Sequence, residues 1–260
     1  FDFDSIPSSK KIELLLELEK KSKELDNRIV KLSHCSYGEV NSEYHIINSK
    51  GLDITKYQKY CMIVVGVIAS SDGCIQDAYH FDVKKTFNDL DVEKTAKKAV
   101  EKAVSMLNAK PIKSDNYKVI IENDAMGSLL SAFHGMFSGD SAIKKVTPFL
   151  GKENELIMSP KITIIDNPLL EESFNNEPFD DEGVACFKKE VVKDGVLKTM
   201  LHSLKTAKYF NTNSTGNGFS SARGISAMGC NFYIDKGNIS KEQMIESLDK
   251  GLLITGLDGL

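Results

Sequence analysis

The sequence predicts an α+β fold, in which an antiparallel meander packed on helices is followed by a second β-rich α+β unit. Three observations lead to this prediction. Of the 260 residues 41% are hydrophobic, which is enough for a sizeable core. Amphipathic helical patterns flank a series of β-rich segments in the first part of the chain, and short strand and helix patterns mix in the rest. We therefore expect one unit at residues 1–113 and another at 114–260.

The first unit is predicted to begin and end with helices. Pro7, Ser8 and Ser9 precede spaced leucines and isoleucines, a pattern typical of a capped amphipathic helix. Four β-rich segments with short turn signals between them favour the antiparallel meander. These segments are residues 28–35, 42–48, 58–70 and 74–81. Asp91 is expected to cap a second helix that ends near residue 108, before Pro111.

The second unit is predicted to contain short elements joined by loops. Its strands are expected at residues 117–121, 162–165, 184–192, 196–202, 231–234 and 252–255. Its helices are expected at residues 124–136, 206–210 and 241–248. Lys193-Asp194-Gly195 is the strongest hairpin signal in the chain. Residues 147–160 and 211–223 are predicted to be loops.

The composition argues against several classes of protein. A formal net charge of −4 and scattered basic residues disfavour direct nucleic-acid binding. No apolar stretch reaches the length of a membrane span, and Phe1 does not open a signal-peptide pattern. The five cysteines contain no C-x-x-C pair, which indicates free thiols in a reducing compartment. We expect a soluble protein of the cytoplasm that contacts no membrane.

The search for a metal or catalytic site finds no complete motif. The histidines stand apart, at positions 34, 45, 80, 134 and 202. For His134, on a largely apolar predicted helix, a core or interface role is favoured over a metal ligand. Three adjacent acids, Asp180-Asp181-Glu182, favour a turn or a solvated surface over a cation site. The residue spacing also matches neither a P-loop nor a G-x-S-x-G nucleophile elbow.

A polar loop is the remaining candidate from the residues alone. Ser214-Thr215-Gly216-Asn217-Gly218 has the composition of an anion-binding nest or of a loop that cradles an extended strand. A flexible surface loop explains the same composition equally well. From spacing and composition, the sequence therefore indicates no evident active site.

Four motifs, in the same order and with the same separations as in a known family, resemble the PmbA/TldE branch of the TldD/PmbA proteins, once called modulators of DNA gyrase. They are Pro178-Phe179-Asp180-Asp181-Glu182-Gly183-Val184, Lys193-Asp194-Gly195-Val196-Leu197, Ala207 leading to Ser214-Thr215-Gly216-Asn217-Gly218, and Gly251-Leu252-Leu253-Ile254-Thr255. The resemblance begins near Tyr117 and is weaker in the first hundred residues. It also implies a fragment of a longer two-domain chain, incomplete at both ends.

The resemblance implies that this chain lacks the family's metal motif. The TldD-type subunit is similar to a metallopeptidase and carries H-E-x-x-x-H on a helix, with the glutamate as general base and zinc as Lewis acid. Counting back from Gly139-Asp140, Leu130 and Gly135 occupy the two histidine positions and Ser131 occupies the glutamate position. None of these three residues offers a side chain that can bind zinc or act as a general base. We expect no catalytic residue, no metal and no cofactor here, with zinc only in a TldD-type partner.

The resemblance implies a non-metal subunit of a cytoplasmic metallopeptidase complex that acts on unfolded or precursor peptides. The partners implied are a TldD-type subunit or a second copy in a dimer, together with the peptide. Two alternatives stay open: a metallopeptidase with ligands outside these residues, and a regulatory binding protein, as the gyrase name suggests.

The acidic motif and the glycine loop are expected to meet at one end of the sheet, because the Lys193-Asp194-Gly195 hairpin returns the chain toward its start. They are predicted to form either a structural brace or the rim of a peptide-binding chamber. The residues assigned to this rim are Asp180, Glu182, Gly183, Ser214, Thr215, Gly216, Asn217 and Gly218.

Overall fold

The structure, a computed structural model, describes residues 3–222 and 224–260; Phe1, Asp2 and Arg223 lie outside the described residues. Helices and mainly antiparallel strands mix along the chain, so the predicted α+β class is confirmed. The chain divides into two compact units. One contains the residues up to Tyr44 together with Tyr57–Lys113, and the other contains His45–Lys56 and Ser114–Leu260.

The sequence predicted a single boundary after residue 113, whereas the structure also assigns His45–Lys56 to the second unit. These residues form the far end of a long β-hairpin. Lys56 in this segment pairs with Glu177 and Asp181, which explains why the hairpin end clusters with the second unit.

The first unit is a three-stranded antiparallel sheet with two helices. Its elements are α1 Ser8–Glu24, β1 Ile29–Ile47, β2 Asp53–Ser71, β3 Cys74–Lys84 and α2 Val92–Ser105, and the strand order is β1-β2-β3. Alternate residues of β2, from Cys61 to Ala69, are fully buried, as expected for one face of a half-covered sheet. Small residues of α2, including Ala96, Ala99 and Ala103, pack in the same core.

The first two predicted strands are one continuous strand, so the prediction of four strands was wrong. The turn signal between residues 35 and 42 contains Gly38, but Gly38 lies within β1. A Cβ at Gly38 would lie 3.0 Å from Cε of Met62. The glycine therefore makes room for a side chain of β2, and the turns themselves lie at Gly51 and Gly73, where φ is positive.

The two predicted helix caps in this unit have different outcomes. Asp91 caps α2, and its carboxylate accepts a hydrogen bond from the backbone nitrogen of Lys94. The cap predicted for α1 is absent: Pro7 stands at the N-cap position, and no side chain bonds to the first turn. Pro7 has no hydroxyl or carboxylate to offer, and the helix is held by its buried face, which includes Leu18.

The second unit contains one four-stranded sheet and two small two-stranded sheets. Its strands are β4 Lys118–Ile121, β5 Ile164–Asp166, β6 Lys189–Lys193, β7 Val196–Leu197, β8 Gly218–Ser221, β9 Gly224–Ala227, β10 Phe232–Ile234 and β11 Gly251–Ile254. Its helices are α3 Asn123–Phe133, α4 Gly139–Ile143, α5 Leu204–Phe210 and α6 Lys241–Glu246. The large sheet has the order β10-β5-β6-β7, β8 pairs with β9, and β11 pairs in parallel with β4.

The hairpin at Lys193-Asp194-Gly195 is present, but its strands are shorter than predicted. The first begins only at Lys189, and the second ends at Leu197, because beyond it Leu201 bridges to Ser138 instead. The predicted helix at residues 124–136 ends at Phe133 and continues as a 3₁₀ turn, His134–Phe137.

The two predicted loops contain more pairing than expected. The backbone nitrogen of Asn154 donates to the carbonyl of Leu197 at 2.7 Å, and the nitrogen of Leu197 donates to Glu155 at 3.0 Å. Residues 147–160 are therefore fastened along β7. In the second loop, residues 218–221 form β8, which the polar composition of the segment concealed.

The core of the large sheet is formed by its inward-facing aliphatic residues. Val191, Val192, Leu197 and Leu201 are fully buried, and they pack with Phe137 and Met200. None of the helices in the described residues is long and apolar enough to cross a membrane.

Limited trypsin digestion should cut first after Lys113, because Pro111 blocks cleavage after Lys110. Residues 109–116 are exposed and have no regular structure, so a protease can bind this backbone without unfolding either unit. Lys152, in the hairpin-bound loop 147–160, should be cut later. Mass spectrometry of the first fragments checks the order, and early cleavage at Lys152 would contradict it.

Candidate functional site

The acidic turn at residues 180–183 is held by the carboxylate of Asp180. This side chain is fully buried. Its Oδ1 accepts hydrogen bonds from the backbone nitrogens of Glu182 at 3.0 Å and Val184 at 2.9 Å. The turn closes at Gly183, where φ is +79°, a conformation that a glycine adopts without steric cost. The buried carboxylate therefore sets the local backbone shape.

The acidic turn contacts the glycine loop, which confirms the predicted contact. Oδ2 of Asp180 accepts a hydrogen bond from the backbone nitrogen of Gly218 at 2.8 Å, and the nitrogen of Asp181 donates to the carbonyl of Gly218 at 2.9 Å. The two strands that lead from the acidic turn toward the loop are shorter than predicted. The backbone nitrogen of Thr215 donates to the carbonyl of His202 at 3.1 Å.

The carboxylate of Asp181 joins two elements, β8 and β2. Its Oδ2 accepts from the backbone nitrogen of Ser220 at 2.7 Å, and its Oδ1 lies 3.4 Å from Nζ of Lys56. Partial burial raises the pKa of Asp181, but the Ser220 hydrogen bonds and the Lys56 charge outweigh it and leave the pKa lowered. Asp181 therefore remains ionised when the surroundings become mildly acidic.

Glu182, the half-buried acid next to Asp181, has a raised pKa instead of a lowered one. Its Oε2 accepts a hydrogen bond from the backbone nitrogen of Leu204 at 2.7 Å. Burial, helped by the charges of Asp180 and Asp140, raises the pKa of Glu182, and the Leu204 hydrogen bond opposes the rise only in part. Glu182 thus binds a proton more readily than an ordinary surface glutamate.

A buried ionic network lies beneath the glycine loop. Nζ of Lys189 lies 3.0 Å from Oδ2 of Asp166 and 3.1 Å from Oδ1 of Asn217. Nδ2 of Asn217 donates to the same Asp166 oxygen at 2.7 Å. The Lys189 and Asp166 side chains are 5% and 0% exposed, so the pair is removed from water. Asn217 thereby links the loop to β5 and β6.

The first residues of the loop are fixed by hydroxyl groups and by the conformation of a glycine. Oγ of Ser214 donates to the carbonyl of His202 at 3.1 Å, and Oγ1 of Thr215 donates to Oδ1 of Asn217 at 2.7 Å. Gly216 has φ of +66°, and a Cβ there would lie 2.6 Å from the carbonyl oxygen of Ala185. The loop is therefore an ordered part of the core and not a flexible surface segment.

These contacts define what the predicted rim residues can do. Asp180 and Asn217 are fully buried and satisfied within the protein, which suits a brace. Asp181 and Glu182 are partly exposed and retain carboxylate surface for a ligand. The peptide-binding role of the rim stays a prediction.

The three positions that correspond to the family's metal motif, Leu130, Ser131 and Gly135, offer no side chain that fits zinc. Leu130 is partly buried and packs against the core of the large sheet. Ser131 is exposed, and its carbonyl oxygen lies 2.6 Å from Nδ1 of His134. The His134 ring also contacts Phe232, with the ring centroids 6.5 Å apart. Within residues 3–222 and 224–260, no group of three or more His, Cys, Asp or Glu side chains is placed to hold a metal ion.

A cavity of about 390 Å³ lies in the second unit, and we call it the His202 cavity. Its apolar lining consists of Ala142, Leu150, Met200 and Phe210, with Gly151 at one side. Its polar lining consists of Glu153, Lys198, Thr199, His202 and Thr212. Burial lowers the pKa of His202, against the opposing charge of Glu153, so the imidazole is uncharged at neutral pH.

The sequence reasoning missed the residues that hold the acidic turn and the loop in place. Asp166 lies one residue beyond the predicted strand 162–165, and Lys189 was counted only as part of the predicted strand 184–192. Lys56 lies far away in the sequence. Lys189 is flanked by Lys188 and Glu190, so no signal in the sequence singles it out as the buried charge.

The two units match two domains of known proteins. Residues 1–107 match the PmbA/TldA metallopeptidase central domain, and residues 114–260 match the PmbA/TldA metallopeptidase C-terminal domain. The fold and these matches define a metallopeptidase-like protein that contains both of these domains. The chain belongs to the PmbA/TldA family, the TldD/PmbA family that its motifs resemble.

Individual relatives agree with this assignment. Metalloprotease PmbA of Escherichia coli O157:H7 is 28% identical over 256 residues, which is 95% of this chain and 54% of that protein. A metalloprotease of Methanocaldococcus jannaschii is 28% identical over 248 residues, 91% of this chain and 53% of that protein. The chain thus spans about half the length of these relatives.

Two solved structures have the same fold. A Thermotoga maritima protein described as a modulator of a DNA gyrase superposes with a TM-score of 0.92 at 30% identity, over 99% of this chain and 59% of that one. TldE from Thermococcus kodakarensis superposes with a TM-score of 0.89 at 29% identity, over 98% of this chain and 58% of that one.

Proposed function

We propose that this chain is part of a PmbA/TldE-type subunit that holds peptide for a metal-bearing TldD-type partner and does not cleave peptide by itself. The observation that carries the proposal is the identity of the residues at the metal-motif positions. Leu130 and Gly135 offer no ligand atom in their side chains, and Ser131 cannot replace a glutamate as general base. The likeness to TldE supports the same assignment.

Peptide would be held by backbone pairing along the edge of the large sheet. β10 is an edge strand, and the described residues place no strand on its far side. Asn231 and Asp235 form backbone hydrogen bonds with Asn167 and Thr163, the residues on either side of β5. In an antiparallel ladder, the backbone groups of Phe232 and Ile234 therefore point outward. An extended peptide could add to these groups as a further strand, a common mode of peptide recognition.

The purified protein should contain far less than one zinc ion per chain. The residues at the motif positions supply no ligand set, and a single histidine such as His134 binds zinc only weakly. Inductively coupled plasma mass spectrometry after dialysis measures the content. A tightly bound stoichiometric zinc that disappears in the His134→Ala variant would overturn the assignment and favour a stand-alone metallopeptidase.

The full-length protein should cleave unfolded peptide only when mixed with a relative that carries HExxxH. The Glu182→Gln variant should lose much of this joint activity and keep its melting temperature if the acidic turn lines the peptide site. Glu190→Gln, on the exposed side of β6, is the matched control and should leave the activity unchanged. Peptidase activity of the protein alone would contradict the proposal, as would co-purification with a topoisomerase in place of a TldD-type subunit.

A further inference from the structure

The His202 cavity contains a polar atom that the protein itself leaves unused. His202 is 6% exposed, and its Nδ1 lies 3.2 Å from Oγ1 of Thr206. The ring contacts Phe210 with its centroid 5.8 Å away, and the described residues offer no partner to Nε2. In the described chain, every fully buried side-chain nitrogen or oxygen has a hydrogen-bond partner. Because Nε2 has none, it is not fully buried, and we infer that it faces the cavity that His202 lines.

The rest of the lining suits a neutral ligand that has an apolar part. Met200 and Phe210 provide aliphatic and aromatic contact surface. One carboxylate, Glu153, and one ammonium group, Lys198, also line the cavity, and both residues are exposed. Their charges balance, so the cavity attracts neither an anion nor a cation. The cavity thus combines apolar contact surface with polar groups, among them Nε2 of His202, a composition that suits a small organic group.

The hydrogen-bonding role of Nε2 depends on the imidazole tautomer. If Nδ1 donates to Thr206, Nε2 is an acceptor, and if the Thr206 hydroxyl donates to Nδ1, Nε2 carries the proton and donates. A hydroxyl group on the ligand suits both cases, because it can donate or accept. An aromatic ring that bears a hydroxyl therefore matches both the walls and the polar atom.

We propose that the His202 cavity binds a phenolic group, such as the side chain of a tyrosine in a peptide, with a hydrogen bond between the phenol oxygen and Nε2 of His202. This inference goes beyond the proposed function, since it concerns the chain alone and needs no partner subunit. If the protein also holds peptide for a TldD-type partner, the cavity gives it a preference for tyrosine.

Titration of the chain with p-cresol and with toluene, followed by two-dimensional NMR, tests the proposal. p-Cresol should bind more tightly than toluene by roughly fivefold to tenfold, the value of one hydrogen bond. The shifted amide signals should belong to residues that line the cavity. Equal binding of both compounds, or no binding of p-cresol at millimolar concentration, would refute the proposal whether or not the protein acts in a peptidase complex.

Three variants locate the site. Thr212→Trp places a large side chain at the exposed wall of the cavity and should weaken p-cresol binding at least tenfold, whereas Asn213→Trp, an exposed neighbour outside the lining, should not. His202→Phe should bind p-cresol no better than toluene. If His202→Phe does not fold, the ¹⁵N signal of Nε2 in the unchanged protein decides, since it must shift with p-cresol and stay in place with toluene. Unchanged binding by Thr212→Trp would place the ligand elsewhere and contradict the inference.

Discussion

Lys189→Met should destabilise the protein by roughly 3 to 5 kcal/mol, the usual cost of leaving one member of a buried ion pair without its partner. Nζ of Lys189 lies 3.0 Å from Asp166 and 3.1 Å from Asn217, and both of these residues are fully buried. Methionine fills a similar volume but leaves the Asp166 carboxylate without a countercharge. A loss of this size is a large fraction of the ~5–15 kcal/mol that stabilises a typical domain.

Urea denaturation followed by circular dichroism measures this loss. Lys193→Met is the matched control, because Lys193 pairs with Glu190 on the surface at 2.9 Å, with both side chains about half exposed. The control should change stability by less than about 1 kcal/mol. Adding Asp166→Asn to Lys189→Met should recover part of the loss, since the unpaired charge is then gone. A single-variant loss no larger than that of the control would show that the pair is not a buried support.

Gly216→Ala should have an effect of similar size, through the backbone. Gly216 has φ of +66°, and an added Cβ would lie 2.6 Å from the carbonyl oxygen of Ala185 and 3.0 Å from Cα of Cys186. Left-handed strain of about 1–2 kcal/mol adds to an overpacking cost of about 1–3 kcal/mol. The expected loss is therefore roughly 2 to 5 kcal/mol, because the atoms in the way belong to the backbone and cannot rotate aside.

Gly151→Ala separates the two contributions to that loss. Gly151 has a similar φ of +73°, but no atom lies within 4 Å of an added Cβ. The stability of this variant should fall only by the cost of the left-handed strain, about 1–2 kcal/mol. Thermal denaturation of both variants gives the difference. Equal losses would mean that the Gly216 loop moves aside and is not the rigid support that its contacts indicate.

The sequence was most informative where the cause of structure is local. Asp91 and the small residues after it specify α2, because the cap and the helical period both lie within one segment. The turn residues of Lys193-Asp194-Gly195 likewise specify the hairpin, with φ of +48° at Asp194 and +78° at Gly195.

The sequence misled where a residue serves a distant neighbour. Gly38 is of a residue type that is common in turns. Here, however, it lies within a strand, and the absence of a side chain leaves space for Met62 of the next strand. One network is formed by residues of three separate segments, Asp166, Lys189 and Asn217. No local sequence pattern therefore predicts it. The contact between Asp180 and Gly218 was predicted, but the support beneath it was not.

The parallel pairing of β4 with β11 has a consequence for the order of events during synthesis. Lys118 of β4 lies opposite Gly251 of β11, roughly 130 residues later in the chain. Because the ribosome makes the chain from its N-terminal end, β4 is synthesised well before β11. Its edge therefore stays unpaired until almost all of the second unit has been made. Such distant contacts slow folding, and a waiting edge can pair with another nascent chain. The second unit is therefore expected to complete its fold later than the first, whose sheet pairs strands that follow one another in the chain.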